Sequence, residues 1–353
     1  MFLWAQTAAG NGERVPDWLE LGGPLEMRKG KYLVKRFIYI VFVFFIISII
    51  MFGIYKSLPG DPVRMMMGDN VKPEVYQQQY DTIKESLGLD KPVPVQYVRW
   101  MGNMLRGDFG YSTEYRRPVK DVIGVPMRNT VVLNLVSMFL VFIVAVPLGI
   151  AQAVKKNGIF DKIVQVVTIV GYSVPSFVIA LLAIYIFAIR FPIFPISGVK
   201  TAGFTGTGME AFLDSAKHMV LPVLVMSIGG IGSIARYVRA SMIEALRMDY
   251  IKTARSKGLR EKVVIYVHAF RNALIPIVTV TTMWLIGLFG GSIVIESIFL
   301  WDGLGKMMIT GLNQRDFSVV LAMQMFYVVL SLAGNVLMDI AYTLVDPRVR
   351  LEN

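Results

Sequence analysis

Six stretches of the chain contain no Asp, Glu, Lys or Arg and are rich in apolar residues. They are 18 to 27 residues long and occupy residues 37–55, 129–154, 163–189, 218–235, 272–295 and 317–338. A helix of about 20 apolar residues crosses the roughly 30 Å hydrocarbon layer of a bilayer, where only an internally hydrogen-bonded backbone is tolerated. The pattern predicts an all-α membrane protein with about six transmembrane helices. The fourth stretch is the shortest, so we expect its helix to extend beyond the bilayer.

Basic residues near the ends of these stretches predict the orientation of the chain. Clusters of Lys and Arg lie before the first stretch and between the second and third stretches. Nine more Lys or Arg lie between the fourth and fifth stretches, from Arg236 to Arg271. Short loops rich in Lys and Arg remain on the cytoplasmic side of a membrane. The sequence therefore predicts a multi-pass protein with both termini inside.

The predicted topology divides the chain into five segments. Residues 1–30 form a cytoplasmic tail, 31–56 transmembrane helix 1, 57–127 an external loop, 128–345 a core with five transmembrane helices, and 346–353 a second cytoplasmic tail. The external loop combines Pro and Gly turn signals with a helix-compatible stretch from Pro73 to Leu87. We expect it to form a small cap between helices 1 and 2.

Composition supports a membrane protein and excludes several kinds of site. Hydrophobic residues make up 55% of the chain, and the mean hydropathy is +0.56. The net charge of +11 comes from clusters beside the apolar stretches, which favours membrane topology over nucleic-acid binding. The chain has no cysteine, so it lacks disulfides, thiolate metal sites and cysteine nucleophiles.

The segment from Glu244 to Leu259, between the fourth and fifth stretches, has the pattern of a short amphipathic helix. Leu246, Tyr250 and Ala254 recur every four residues, with basic residues on the other faces. Gly258 is suited to end this helix, because glycine adopts the left-handed conformation without a side-chain clash. Two interpretations remain open on physical grounds: a helix that fits a groove on another protein, or a basic loop that contacts lipid headgroups.

No catalytic or metal-binding motif occurs in the sequence. The Gly-x4-Gly-Lys-[Ser/Thr] phosphate loop is absent, as are the His-Glu-x-x-His zinc pair and the Gly-x-Ser-x-Gly nucleophile motif. We therefore expect no catalytic residues, no metal site and no ATP hydrolysis by this chain.

Two motifs in the cytoplasmic loop carry a resemblance to a known family. Residues 249–259, Asp-Tyr-Ile-Lys-Thr-Ala-Arg-Ser-Lys-Gly-Leu, and 268–276, His-Ala-Phe-Arg-Asn-Ala-Leu-Ile-Pro, closely resemble the loop of bacterial dipeptide and oligopeptide permeases, the first of their two membrane subunits. Further matches, which together cover roughly residues 31 to 350, are Leu58-Pro-Gly-Asp-Pro62, Arg128-Asn-Thr130, Ser173-Val-Pro-Ser-Phe177, Gly291 to Phe299, Gly303-Leu-Gly305, Arg315-Asp316 and Asp346-Pro-Arg348.

The resemblance implies the architecture of a type I ABC importer permease. Its coupling helix would dock on a separate ATPase subunit through Asp249, Tyr250, Lys252, Thr253, Ala254, Arg255, Lys257, Gly258 and Leu259. The implied partners are two ATPase subunits that hold ATP and Mg, a second homologous permease subunit, an external solute-binding protein and membrane lipids. The implied location is the bacterial cytoplasmic (inner) membrane, and the implied substrate is peptide, with nickel chelates or oligosaccharides as alternatives.

Four residues are candidates for the translocation path or its gate. Ser173, Pro175 and Ser176 surround a proline that interrupts an apolar stretch, and Glu296 lies at the outer end of another. The alternative for Glu296 is an interfacial acid that pairs with a basic group and fixes the helix end. For the whole chain, a membrane-embedded enzyme or scaffold with a lipid-binding basic loop is the alternative of another class.

Overall fold

The structure, a computed structural model, describes residues 25–57, 61, 63–64, 67, 73–86 and 88–345. The predicted tails over 1–24 and 346–353, with the Asp346-Pro-Arg348 motif, lie outside the described residues, as does most of Leu58-Pro-Gly-Asp-Pro62. In the described part the chain is helical apart from loops and one small hairpin. This confirms the predicted all-α membrane fold.

The elements of the described part are given in chain order. The helices are α1 (Leu25–Ser57), α2 (Pro73–Ser86), α3 (Val93–Leu105), α4 (Val119–Val122), α5 (Gly124–Val154), α6 (Ile159–Ser173), α7 (Ser176–Ile184), α8 (Met209–Ala245), α9 (Asp249–Ser256), α10 (Glu261–Val263), α11 (Phe270–Gly287), α12 (Ile293–Ile298), α13 (Leu304–Asn313) and α14 (Phe317–Val345). Strands β1 (Tyr111–Ser112) and β2 (Arg117–Pro118) pair antiparallel, and π-helical turns lie at Tyr185–Arg190 and Val264–Ala269.

Four helical stretches of the described residues are long and apolar enough to cross a membrane. They are Val34–Ser57, Val119–Val154, Met209–Ala245 and Phe317–Met338. Ile159–Ser173 and Ser176–Arg190 add a fifth if they count as one broken span, with a bend of 94° between them. The end of the fifth predicted stretch, 272–295, is corrected: α11 ends at Gly287 and α12 starts only at Ile293. Two further glycines separate these helices, and glycine is a poor helix former.

Helix α8 occupies the centre of the fold and α1 the periphery. Half of the apolar stretch of α8 is buried within the chain, against 11% for α1. Helix α8 is 37 residues long, so the expected extension of the fourth apolar stretch is confirmed. Exposed apolar side chains such as Phe37, Phe42 and Val167 cover the outer helices, as expected where the surrounding solvent is hydrocarbon.

Small residues let α5 approach α8 closely. A Cβ atom added to Gly149 of α5 would lie 2.6 Å from the backbone oxygen of Ala235 and 2.7 Å from Cβ of Val238, both in α8. Such distances are shorter than any ordinary carbon contact, so only glycine fits at this crossing. Helix pairs in membranes commonly pack through small residues in this way.

The glycine run of α8 brings two more helices close to it. A Cβ atom on Gly230 would lie 2.8 Å from the Trp284 ring of α11, and one on Gly232 would lie 3.2 Å from the backbone oxygen of Thr168 in α6. The run is therefore a packing surface for α8 within the bundle.

The segment between α1 and α4 forms a cap that rests on α1 and α14. The Tyr97 hydroxyl of α3 lies 2.7 Å from the Ser48 hydroxyl of α1, and the Trp100 ring lies 5.3 Å from the Phe52 ring. The Ser112 hydroxyl of β1 donates a hydrogen bond to Asp316, just before α14. The cap is thus attached to two membrane helices by both apolar and polar contacts.

Gly149→Ala is expected to destabilise the protein by about 1–3 kcal/mol, because its methyl group would overpack the contact with α8. Thermal unfolding of the purified protein in detergent measures the effect as a lower melting temperature. Gly229→Ala is the matched control, because no atom lies within 4 Å of its added Cβ. Equal melting temperatures for the two variants would contradict the packing described for α5 and α8.

Candidate functional site

Only part of the predicted amphipathic segment 244–259 forms a separate helix: Glu244 and Ala245 still belong to α8, and α9 spans Asp249–Ser256. Asp249 lies in its first turn, and the chain leaves the helix at Lys257 and Gly258. Gly258 has φ of +73°, and its N–H donates to the backbone oxygen of Arg255 at 2.9 Å. The left-handed glycine satisfies a carbonyl at the helix end, as the sequence predicts.

One face of α9 is packed on the rest of this chain. Ile251 is fully buried and Ala254 is 6% exposed, in a hydrophobic cluster that includes Ala153 of α5 and Met242 of α8. The prediction that Ala254 docks on a partner is therefore wrong. Because the alanine side chain is small, it brings α9 close to its own core instead.

The other predicted docking residues lie on the exposed surface of α9 and the turn after it. They are Asp249, Tyr250, Lys252, Thr253, Arg255, Lys257, Gly258 and Leu259. Tyr250 is 39% exposed and Leu259 is 41% exposed, so the surface combines two apolar side chains with charged ones. The structure thus keeps eight of the nine predicted residues together on one accessible surface, which we call the α9 surface.

The charges of the α9 surface are partly paired. Nζ of Lys252 lies 2.8 Å from Oδ1 of Asp249. This hydrogen bond lowers the pKa of Asp249 and raises the pKa of Lys252. Nη2 of Arg255 lies 2.6 Å from Oε1 of Glu261, and this hydrogen bond lowers the pKa of the Glu261 carboxyl. These pairs are exposed and add little stability.

The remaining basic residues around α9 have no ion pair within the described part of the chain. They are Arg247, Lys257, Arg260 and Lys262. Asp249 and Glu261 are already engaged by Lys252 and Arg255. The α9 surface is therefore positive, and a protein groove that accepts it must carry acidic groups.

The predicted gate residues lie at the break between α6 and α7. Helix α6 ends at Ser173, Val174 is extended with ψ of 128°, and Pro175 precedes α7. The break is expected because a proline disfavours the helical conformation of the residue before it. Ser173, Pro175 and Ser176 are all exposed at this 94° bend.

Glu296 lies inside the protein. Its side chain is 1% exposed; Oε1 accepts a hydrogen bond from the Thr130 hydroxyl at 2.9 Å, and Oε2 accepts one from the Lys306 backbone N–H at 3.0 Å. The prediction that Glu296 lines the translocation path is therefore wrong. No basic side chain pairs with it among the described residues, which also corrects the ion-pair alternative.

Helix α5 and the α12–α13 turn meet around this carboxylate. The Thr130 hydroxyl also accepts a hydrogen bond from the Leu304 N–H at 2.8 Å. A Cβ atom on Gly303 would lie 2.6 Å from both the Glu296 carboxyl carbon and the Thr130 hydroxyl, so this position requires glycine. We call this group of residues the polar hub.

Two further contacts extend the polar hub. The Trp301 indole donates to the backbone oxygen of Asn129 at 3.1 Å, and the Asn129 amide donates to the backbone oxygen of Asp302 at 2.8 Å. Sequence reasoning missed the hub. Adjacent Asn and Thr at the entry to an apolar stretch were the available signal, because buried polar side chains need partners.

Asp316 joins the cap to α14. It is fully buried, and its carboxylate accepts hydrogen bonds from the Ser112 hydroxyl, from the Glu114 N–H at 3.1 Å and from the Val319 N–H at 3.3 Å. The bond to Val319 caps the first turn of α14. The Arg315-Asp316 motif was noticed in the sequence, but this role was not.

Models of two protein families match the chain in succession. Residues 29–134 match the N-terminal part of the binding-protein-dependent transport system membrane component, and residues 145–351 match the binding-protein-dependent transport system inner membrane component.

Curated relatives match nearly the whole chain. The oligopeptide transport system permease protein AppB of Bacillus subtilis is 35% identical over 90% of this chain and 98% of its own length. A putative peptide permease of Brucella suis is 34% identical over 91% of this chain and 99% of its own length. A putative peptide transport system permease of Brucella abortus is 37% identical over the same shares.

Among solved structures, the chain is similar to an inward-facing MetNI methionine ABC transporter. The TM-score is 0.45 with 17% sequence identity, and the match covers 62% of this chain and 96% of the other.

Thr130→Val is expected to destabilise the protein by about 1–3 kcal/mol, because it removes the hydrogen-bond partner of Glu296 Oε1 and of the buried Leu304 N–H. Melting temperature in detergent measures the loss. Thr168→Val is the control, because the Thr168 hydroxyl bonds only to backbone oxygens of its own helix. A polar hub without structural importance would give the two variants the same melting temperature.

Proposed function

We propose that this chain, which belongs to the family of binding-protein-dependent transport system inner membrane components, forms half of the translocation path of a peptide importer. The chain is a permease subunit of an ABC importer and is not itself an enzyme. Membership of this family implies ATPase subunits and a solute-binding protein as partners. The substrate, the stoichiometry and the contacts are the proposed part.

Peptide is the proposed substrate because of the relatives. The observation that carries this proposal is the similarity to an oligopeptide permease along 90% of the chain. The two Brucella relatives also bear peptide-transport names. Nickel chelates and oligosaccharides are the alternative substrates, and the transport experiment below distinguishes them from peptide.

The α9 surface is the proposed docking site for one of two ATPase subunits. It is exposed, positive and partly apolar, while the opposite face of α9 is buried in a hydrophobic cluster with residues of α5, α8 and the π-helical turn Val264–Ala269. Through this cluster, a force applied to α9 is transmitted to the membrane helices. ATP and Mg belong to the partner subunits in this scheme, and this chain contributes no group to ATP hydrolysis.

A second, homologous permease subunit is proposed to complete the path. An apolar cavity of about 600 Å³ opens beside the broken span, with Leu140, Val174, Leu182, Leu224 and Ile228 among its lining residues. Exposed Ser173, Pro175 and Ser176 lie at the bend of the same span. We expect this region to change shape when the cavity alternates between inward-facing and outward-facing states.

The proposed location is the cytoplasmic (inner) membrane of a bacterium, with both termini inside. The loop between α5 and α6 and the α9 segment lie at the same end of α8, and both carry exposed basic residues. This shared end supports a cytoplasmic position for α9. The cap then faces the solute-binding protein outside.

Reversal of one charge on the α9 surface and one directly beside it is expected to weaken ATPase binding by about tenfold, because each lost ion pair is worth roughly 0.2–1 kcal/mol and becomes a repulsion. The variant is Lys257→Glu with Arg260→Glu. Co-purification with the ATPase subunits at low and high salt measures the loss, which should shrink as salt screens the charges. Lys155→Glu with Lys156→Glu is the matched control at the same end, and an equal loss in both variants would contradict docking through α9.

Proteoliposomes that contain the complete complex are expected to import labelled peptide when ATP is inside and the solute-binding protein outside. Unlabelled peptide should compete, whereas a nickel chelate or an oligosaccharide should not. Deletion of residues 249–259 should abolish both ATPase association and uptake. Import of only nickel chelate or oligosaccharide would refute the peptide proposal, and full activity of the deletion variant would refute coupling through α9.

A further inference from the structure

A buried ion pair joins α6 to α8 at the end of the fold that carries α9. Arg239 of α8 donates from Nε to Oδ1 of Asp161 and from Nη2 to Oδ2, both at 2.7 Å. The Asp161 side chain is fully buried, and the Arg239 side chain is 20% exposed. A bidentate arginine–carboxylate pair of this kind fixes direction as well as distance.

The same carboxylate accepts three more hydrogen bonds. Side-chain amides of Gln152 at the end of α5 and Gln165 in α6 donate to Oδ1 at 3.3 and 2.9 Å. The Asn157 backbone N–H, in the loop between those helices, donates to Oδ2 at 2.9 Å. Asp161 therefore holds the ends of α5, α6 and α8 around one charge, an arrangement we call the clamp.

Stability alone is a weak explanation for the clamp. Removing two charges from water costs about as much free energy as their attraction returns, so apolar residues of similar volume often hold helices equally well. The planar guanidinium group of Arg239 also fixes the orientation of α8 relative to α6, because its two N–H donors match the two carboxylate oxygens in only one geometry. Apolar contacts between helices are less directional and allow more sliding.

The clamp lies between α9 and the broken span. Ile251 of α9 packs in the hydrophobic cluster that contains Met242 of α8, which follows Arg239 by three residues, or about 4.5 Å along a helix. From Asp161, α6 runs to the 94° bend at Ser173. The cluster therefore links α9 to α8, and the clamp together with the contact of Gly232 with Thr168 links α8 to α6.

We propose that Asp161 and Arg239 are positioning residues that transmit movement of α9 to the broken span. The inference rests on the proposed function, because it requires an ATPase that moves α9. With the clamp intact, α6 follows α8 as one body and the bend beside Pro175 changes shape in each cycle. Without it, ATP hydrolysis still moves α9 and α8, but α6 follows incompletely.

Asp161→Asn is expected to lower the amount of solute imported per ATP hydrolysed by about two- to thirtyfold, the usual range for residues that couple distant sites. The measurement uses the complete complex in proteoliposomes, with uptake and ATP hydrolysis recorded together. Arg239→Lys keeps the charge but loses the fork, so it should retain more coupling than Arg239→Gln. In the double variant Asp161→Asn with Arg239→Gln, the combined loss should be smaller than the product of the two single losses.

Lys162→Gln is the matched control, because it removes a charge from the neighbouring exposed position. It should leave the ratio of uptake to hydrolysis unchanged. Hydrogen exchange of the purified complex supplies a readout that is independent of transport: Asp161→Asn should accelerate exchange in residues 157–166 and leave residues 249–256 as in the unaltered chain.

Two results would overturn the inference. One is an unchanged ratio of uptake to hydrolysis in Asp161→Asn despite faster exchange in α6. The other concerns every clamp variant, including Arg239→Lys: uptake would fall only in proportion to the amount of assembled complex. That result would mean that the clamp serves folding alone. Failure of the unaltered complex to bind ATPase or import any solute would instead refute the proposed function.

Discussion

The close approach of α8 to its neighbours is the contact on which the rest of the structure depends. Lipid tails are as apolar as the helices themselves, so burial of apolar surface supplies little force between helices within the bilayer. Dispersion contacts at short range must hold the bundle, and these contacts require small residues at the crossings. Gly149, Gly230 and Gly232 provide them toward α5, α11 and α6. The position of α9 depends on the same packing, since Ile251 and Ala254 are buried in a cluster with residues of α5 and α8.

At the cap end of α5, polar contacts fix the turn between α12 and α13. The polar hub satisfies a buried carboxylate with hydroxyl and backbone donors and uses no cationic side chain among the described residues. Such an arrangement fixes the path of an irregular segment, because every buried donor and acceptor must keep its partner. Asp316 serves the same purpose between the cap and α14. The two ends of the bundle are therefore organised differently: a carboxylate bound by neutral groups near the cap, and an ion pair near α9.

The sequence predicted local features well and long-range contacts poorly. Charge-free stretches identify apolar helices because water is excluded from the bilayer, and Gly258 marks the end of α9 because its conformation is a local property. The inward direction of Ala254 was missed, since helical periodicity does not state which neighbour covers a face. Glu296 was misplaced because its partner Thr130 lies 166 residues away along the chain. Pro175 predicted an interruption, but the 94° bend depends on packing that no local pattern contains.

The length of α8 bears on how far its ends can travel. At 1.5 Å per residue, its 37 residues form a rod about 55 Å long, nearly twice the roughly 30 Å thickness of the hydrocarbon layer. A tilt of about 10° around the middle of such a rod displaces each tip by about 5 Å. A small tilt of α8 imposed at its end on one side of the membrane therefore moves its other end, on the opposite side, by more than the diameter of an atom.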